Sequence, residues 1–376
     1  MRRKKNKFSS VFPKNLNIHF FDYKLFTAII FLTLVGLSFL YSASSALAYS
    51  KTQSTLFYVK KQLLWSVFSI GIMLFISFVD IEKARIFIPL ITIITIILLV
   101  ITLFMPPIQN TRRWIPLGFM NFQTSEFAKV AFVLYLSDYI DRNYSKIRRL
   151  KFFIKPTIII ALMLLLIALE PDIGTPALLF IIAIAVFFIY GAKMAHIMTP
   201  FIAGISLIVL EIMRHPYRIE RMKSFISPWD DPTGKSFQIV QSLIAIGSGW
   251  WFGKGPGNSI MKLNYLPESH TDFIFPIIAE EIGFLGVLFI LCLFLYVFFR
   301  SVKIAKRSTS SFLSILTISS ALLITAQSLF NMAMSSGLTP TKGLPLPFFS
   351  YGGSSIITTM MLLGFILNTS LRRKNI

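Results

Sequence analysis

Ten long apolar runs, separated by short polar segments, constrain this chain more than any other feature. They lie at roughly 25–47, 62–79, 86–105, 125–141, 154–170, 175–190, 197–212, 273–299, 311–334 and 354–370. About 20 apolar residues is the length a helix needs to cross the ~30 Å hydrocarbon core of a bilayer. Helices can do so because they satisfy all their own backbone hydrogen bonds. The 376 residues are 55% hydrophobic and only 14% charged, where a soluble domain carries about 25% charged residues. The pattern predicts an all-α polytopic membrane protein of about ten transmembrane helices. Glu126 and Lys129 interrupt the fourth run, and only the hairpin EPDIGT separates the fifth from the sixth.

The formal net charge of +21 is not a nucleic-acid signature. Its basic residues sit in short loops between runs, concentrated on alternate sides, as the positive-inside rule expects. That bias puts both termini in the cytoplasm and the 213–272 loop outside. The organisation is then a basic tail at 1–24, one membrane domain at 25–370 and a short tail at 371–376. The first run is too long for the apolar core of a cleaved signal, so it reads as the first span. The single cysteine, Cys292, lies inside an apolar run, which excludes an intrachain disulfide. No internal repeat pairs the two halves. In the long loop, SFQIVQSLIAIG reads as an amphipathic helix lying on the membrane or the bundle, followed by a glycine-rich turn segment.

Chemistry must therefore be done at the outer face or between spans, and four segments there are richer in polar residues than topology needs. In Thr111–Lys129, Arg112, Arg113 and Trp114 sit at an interface. Glu126 and Lys129, three apart, share a helical face and can pair; such charges usually face a bundle interior or wet cavity. In EPDIGT, Glu170 and Asp172 flank a proline, and Asp172 suits an N-cap of the next helix. In Lys262–Phe275, Glu268, His270 and Asp272 crowd the mouth of the eighth span, where Asp272 or Thr271 suits a cap. In Gly337–Ser355, prolines and glycines surround Lys342 and lead to Ser350 and Tyr351, the pattern of a shaped re-entrant segment. Arg112, Arg113, Lys129, Lys262 and Lys342 suit an anion such as a pyrophosphate, and Asp272 suits a proton acceptor. No His spacing fits a metal site, and no P-loop, GxSxG or HExxH occurs. Residues alone leave a transporter and an intramembrane transferase both open.

Together the four segments resemble the SEDS family (shape, elongation, division and sporulation) of bacterial membrane proteins. RRWIPLG followed by QTSEFAK is similar to the family's RRWI…QPSEFAK, with Thr124 in place of proline. EPDIGT, LPESHTDFIF…AEEIGFLG and PTKGLPLPFFSYGGSS match its other signatures. The match runs from about 25 to 370 with the expected ten spans. TKGLPLPF and GPGNSIMKLNYLPESHTDF look more like the division branch than the elongation branch. One departure is Asn264, where division members often carry a glutamate.

The resemblance implies a peptidoglycan glycosyltransferase of the plasma membrane, acting outside it, at the division septum for a division member. Such an enzyme joins a glycan on undecaprenyl pyrophosphate to the 4-hydroxyl of a new lipid II. A class B penicillin-binding protein crosslinks the product, and other divisome membrane proteins are further expected partners. Alternatives are a lipid II flippase using the same cavity for transit, the elongation-type polymerase, and a scaffold for division partners. The family's essential aspartate falls on Asp272 and its sensitive loop tryptophan on Trp114. Its cavity cations fall on Arg113 and Lys129, with Glu126 beside them. Arg112, Glu170, Asp172, Lys262, Glu268, His270, Lys342, Ser350 and Tyr351 complete the candidate substrate-binding set. One carboxylate base without a covalent sugar intermediate implies inversion at the donor carbon. No cofactor is expected to be built in. A divalent cation, Mg or Mn, on the pyrophosphate is compatible with the family, although the sequence offers no protein-only site for it.

Overall fold

The computed structural model describes residues 21–107, 111–118, 121–214, 219, 224–234, 236–263 and 265–372. Most of the two expected terminal tails and Asn264 lie outside the described residues. The helices in chain order are α1 (Tyr23–Thr52), α2 (Phe57–Phe78), α3 (Ile81–Leu103, tightened to a 3-10 turn at Arg85–Phe87), α4 (Thr124–Arg142), α5 (Leu150–Leu169), α6 (Gly174–Ile189), α7 (Met194–Arg214), α8 (Phe237–Ser248), α9 (Ile274–Lys306), α10 (Ser311–Ser335) and α11 (Gly353–Ser370). A two-stranded antiparallel hairpin, β1 (Trp114–Pro116) and β2 (Asn121–Gln123), pairs Trp114 with Gln123.

Each expected run coincides with a helix. Seven of them (α1, α2, α3, α5, α9, α10, α11) are long and apolar enough to cross a membrane. Of the other three, α4 carries Glu126, Lys129 and Asp138 on its buried side, and α6 has only 16 residues. The segment expected to be an amphipathic helix is α8. It lies on the bundle, burying Ile239, Val240 and Ala245, with the Ser242 hydroxyl donating to Ser335 O (2.6 Å) at the end of α10.

The helices α10 and α11 form the buried hub, and α2, α3 and α9 expose most of their surface. The pattern is that of a bundle solvated by hydrocarbon. On α2 the buried face is Gln62, Ser66, Ser69, Met73 and Ser77, and the exposed face is Leu63, Leu64, Val67, Phe68 and Phe75. Lipid gives apolar side chains no reason to hide, so small and polar residues take the helix–helix contacts. Opposite Met73 and Ile76, Gly364 of α11 leaves no room for a side chain.

The two ends of the bundle differ in chemistry. At the end where the described chain begins and finishes, Asp22 caps α1 and binds Arg300, Asp80 binds Arg372 and Lys83, and Arg85 bridges Asp138 and Asp141. At the other end stand the described residues of 224–273, the β-hairpin, the EPDIGT turn and the 336–352 segment. This last segment dips into the bundle without regular structure. Leu344, Leu346, Phe348 and Phe349 are buried, and the Phe349 ring packs on Phe39 of α1 and Phe294 of α9. Irregular backbone is tolerated at that depth because protein surrounds it, as expected of a re-entrant segment.

Candidate active site

Helix α9 is broken. Gly283 has φ +66° and ψ −171°, so Ile274–Ile282 forms a short helix set off from the long span that follows. The break frees backbone groups, and the Trp250–Gly255 loop satisfies them. Phe284 N and Leu285 N donate to Trp250 O (2.8 Å) and Trp251 O (3.1 Å), while Lys254 N and Gly255 N donate to Glu280 O (2.9 Å) and Glu281 O (3.0 Å). Any side chain on Gly283 would collide with the Gly253 backbone. The two glutamates are committed inside. Glu280 pairs with Lys254 at 2.6 Å and accepts from Ile260 N and Met261 N. Glu281 pairs with Lys262 at 3.1 Å and accepts from the Ser42 hydroxyl.

Just before this short helix, Asp272 is half-buried at the wall of a cavity of about 710 Å³. Helix α9 begins with Phe273 at the N-cap and no side-chain cap. The capping role expected of Asp272 or Thr271 is therefore not the one observed. The Thr271 hydroxyl instead donates to Glu268 (2.7 Å).

Three straps hold the Asp272 segment. Asn331 of α10, fully buried, donates through Nδ2 to both Asp272 O (2.9 Å) and Leu344 O (2.6 Å). The Ser350 hydroxyl donates to Thr271 O (2.6 Å) and accepts from Leu346 N (2.7 Å). Tyr351 N donates to His270 O (2.9 Å). Gly343 lies directly against the carboxylate: a Cβ there would sit 2.8 Å from Asp272 Oδ2 and 3.8 Å from Arg113 Nη1. Asp272 and the Arg113 guanidinium thus face one another's neighbourhood across a backbone that has no side chain.

Of the residues singled out from sequence, Asp272, Arg113, Trp114, Glu268, Lys342 and Tyr351 line this cavity. Arg113 also clasps the EPDIGT turn, donating to Glu170 O (3.2 Å) and Pro171 O. The others stand behind the wall or away from it. Arg112 turns to Leu103 O (3.0 Å) at the end of α3. Lys129 is fully buried between Glu126 (2.7 Å) and Gln327 Oε1 (2.9 Å), and Gln327 donates onward to Pro345 O (2.8 Å). That chain braces the re-entrant segment from beneath. Glu170 accepts from Thr124 (3.1 Å), and Asp172 accepts from Thr175 N (3.1 Å) and its hydroxyl (2.8 Å), as the start of α6 requires. Lys262 is the buried partner of Glu281. Ser350 is a strap.

His270 packs its ring on Tyr58 (4.8 Å between centroids) and Tyr351 (6.1 Å) rather than on the cavity. Burial holds its pKa below the ordinary value; Glu268 opposes this and Lys51 adds to it. Burial, with Tyr58 beside it, raises the Tyr351 phenol. Both stay neutral near pH 7.

Sequence reasoning missed Lys61 and Trp65 of α2 on the cavity wall, and the buried amides Gln62, Gln327 and Asn331 behind it. The signal was present: an amide inside an apolar span is costly unless partnered. Among the described residues, no group of three or more His, Cys, Asp or Glu side chains is arranged to hold a metal ion.

A bundle of membrane-length helices, one of them broken beside a charged cavity at the loop-rich end, defines a polytopic membrane protein with a substrate-sized cavity among its helix ends. The family model for FtsW, RodA and SpoVE, described as cell cycle protein, matches residues 23–375, and the chain belongs to that family. It is 38% identical over 372 residues to the probable peptidoglycan glycosyltransferase FtsW of Buchnera aphidicola subsp. Baizongia pistaciae, covering 96% of this chain and 97% of that one. It is 34% identical over 352 residues to the probable peptidoglycan glycosyltransferase FtsW of Aliivibrio salmonicida, covering 92% and 88%. Among solved structures, a chain from a peptidoglycan synthase complex studied for its structural coordination of polymerization and crosslinking superposes with a TM-score of 0.77. It is 25% identical and covers 93% of this chain and 97% of its own. The rod shape determining protein RodA of Thermus thermophilus superposes with a TM-score of 0.70 at 23% identity, covering 94% and 98%, and so shares the fold.

Proposed function

We propose that this chain is a peptidoglycan glycosyltransferase that polymerises lipid II, with Asp272 as general base. The observation that carries the reading is the cavity wall itself: one half-buried carboxylate, strapped by Asn331, Ser350 and Tyr351, facing Arg113 and Lys342. The relatives named as FtsW glycosyltransferases support it over most of the chain.

The acceptor 4-hydroxyl gives its proton to the Asp272 carboxylate as its oxygen attacks the donor sugar carbon. The carbon–oxygen bond to phosphate breaks, and its electron pair leaves with undecaprenyl pyrophosphate. The donor carbon inverts, because the attack comes opposite the leaving group. A base is worth roughly 10²–10⁴-fold in rate. Arg113 and Lys342 meet the charge on the leaving pyrophosphate, a contribution of similar size. Fixed cations serve here because pyrophosphate leaves without a strong acid. A divalent cation, Mg or Mn, would find Asp272 and Glu268 as wall carboxylates and phosphate oxygens for its remaining positions; no step above depends on it. The cavity end belongs outside the plasma membrane, at the septum for a division-type member. A class B penicillin-binding protein would crosslink the strand there.

Purified Asp272→Asn protein is expected to insert and fold but to form no glycan from labelled lipid II. Polymer at the wild-type rate would remove Asp272 from the base role. A wild-type protein that moves lipid II across a vesicle but never polymerises it would favour the flippase reading instead.

A further inference from the structure

We propose that the N-terminus of α11, together with Lys61 and the Ser355 hydroxyl, is a phosphate-binding subsite that holds the pyrophosphate of one of the two lipid-linked substrates. The proposal rests on the glycosyltransferase reading for the identity of the lipid, but not for the anion chemistry. Joining two lipid-linked saccharides brings two pyrophosphates into one cavity, and only one departs. Arg113 and Lys342 flank Asp272 and suit the departing one. A second anion needs its own donors.

Helix α11 supplies them. It is 18 residues long, begins after Gly352 and has no side-chain cap. Gly352 N is taken by Gln62 Oε1 (3.1 Å). Among the described residues, no protein acceptor receives the N–H of Gly353, Ser354 or Ser355. First-turn amides of a long helix, with the positive end of its dipole, form an anion site when they open on a cavity. All three residues line this one.

An independent observation points to a ligand. Ser355 is only 8% exposed, lines the cavity, and its hydroxyl makes no hydrogen bond among the described residues. Its neighbour Ser354 differs, accepting from Gln123 N (3.1 Å) and so tying α11 to β2. The approach is also kept open. A Cβ on Gly353 would lie 3.2 Å from three atoms of the Trp65 indole. One turn before Trp65 on the same face of α2, Lys61 lines the same cavity. Its ammonium lies 4.3 Å over the Phe57 ring, and among the described residues no carboxylate pairs with it. Amides, a hydroxyl and an ammonium are all donors, and none requires a cation from the ligand. An oxyanion fits, and a neutral sugar alone does not use the charge.

The test measures binding of undecaprenyl pyrophosphate to the purified full chain in detergent, with inorganic pyrophosphate as a second probe. Lys61→Gln and Ser355→Asp are each expected to weaken lipid binding about tenfold or more, the worth of a lost charged hydrogen bond. Lys61→Arg is expected to restore it. Lys61 is exposed, so its variants keep the wild-type melting temperature and separate a lost site from a lost fold. Wild-type affinity in both Lys61→Gln and Ser355→Asp would overturn the subsite. Equal affinity for inorganic and lipid-linked pyrophosphate would assign it to the free anion and overturn the lipid assignment. These results stand whether or not polymer forms. Intact binding losses with no polymer from wild-type protein would count against glycosyl transfer alone.

Discussion

The backbone of Asp272 is strapped into place by Asn331. Asn331 fixes the Asp272 carbonyl and that of Leu344 with one amide group, so Asp272 and the re-entrant segment keep one register. Asn331→Leu removes both bonds without altering a charge. It is expected to lower the polymerisation rate about 10²-fold, the scale of a 1 Å misplacement, while binding of undecaprenyl pyrophosphate stays near wild type. Kinetics alongside a binding assay check the split. His270 makes the neighbouring strap sensitive to acid. Its pKa is depressed from 6.5 by burial against Tyr58 and Tyr351, offset by Glu268 and assisted by Lys51. A depressed base binds fewer protons folded than unfolded, so its stabilising effect is full above 6.5 and is lost as pH falls below it. The melting temperature is expected to drop between pH 7 and 5.5, and His270→Phe to flatten that part of the curve. Sequence inspection could find Asp272, a carboxylate at a span mouth, because charge in a membrane is conspicuous. Spacing did pair Lys129 with Glu126, but it could not rank Lys262 below Arg113, because its partner Glu281 comes from packing rather than from a helical repeat.

At the scale of elements, the break in α9 does most to shape the site. An unbroken helix from Ile274 would leave no place for the Trp250–Gly255 loop and its four backbone hydrogen bonds. At φ +66° any residue but glycine is strained by about 1–3 kcal/mol, and here a Cβ would also meet the Gly253 backbone. Gly283→Ala is therefore expected to lower the melting temperature by several degrees and to make the 250–255 segment easier to cleave by protease. Limited proteolysis with a thermal melt checks both. The run at 273–299 announced a span because its apolar length is unmistakable, yet gave no sign of the break. AEEIGF reads as ordinary helix, and the cause lies some 30 residues upstream in a loop. The re-entrant segment was legible because proline and glycine act locally. The cap at Asp272 was misread because the helix begins one residue later than capping there would need.

At the scale of the molecule, the buried Lys262–Glu281 pair joins the outer segment to α9, and Ser42 brings in α1. Lys262→Met strands Glu281 and is expected to cost about 3–5 kcal/mol. The double variant Lys262→Met/Glu281→Gln is expected to recover much of that, because a neutral amide is cheaper to bury than an unpaired carboxylate. Melting curves of the two variants decide it. Unchanged lipid affinity in whichever variant stays folded would mark Lys262 as a structural residue. A loss of affinity would return it to the substrate site.

The sequence by itself determined the membrane class, the positions of the helices and the presence of polar clusters at one end. These follow from one-dimensional quantities: the length of an apolar run, the sign of loop charges and the rigidity of proline and glycine. Only the tertiary structure decided which of those polar residues share the cavity. Asp272 and Arg113 approach there because Gly343 has no side chain, with Lys342 on the same cavity wall, while Lys129, Glu170 and Lys262 are drawn into partnerships behind the wall. Burying a charge is tolerable only beside a partner, and partners are chosen by packing across helices far apart in sequence.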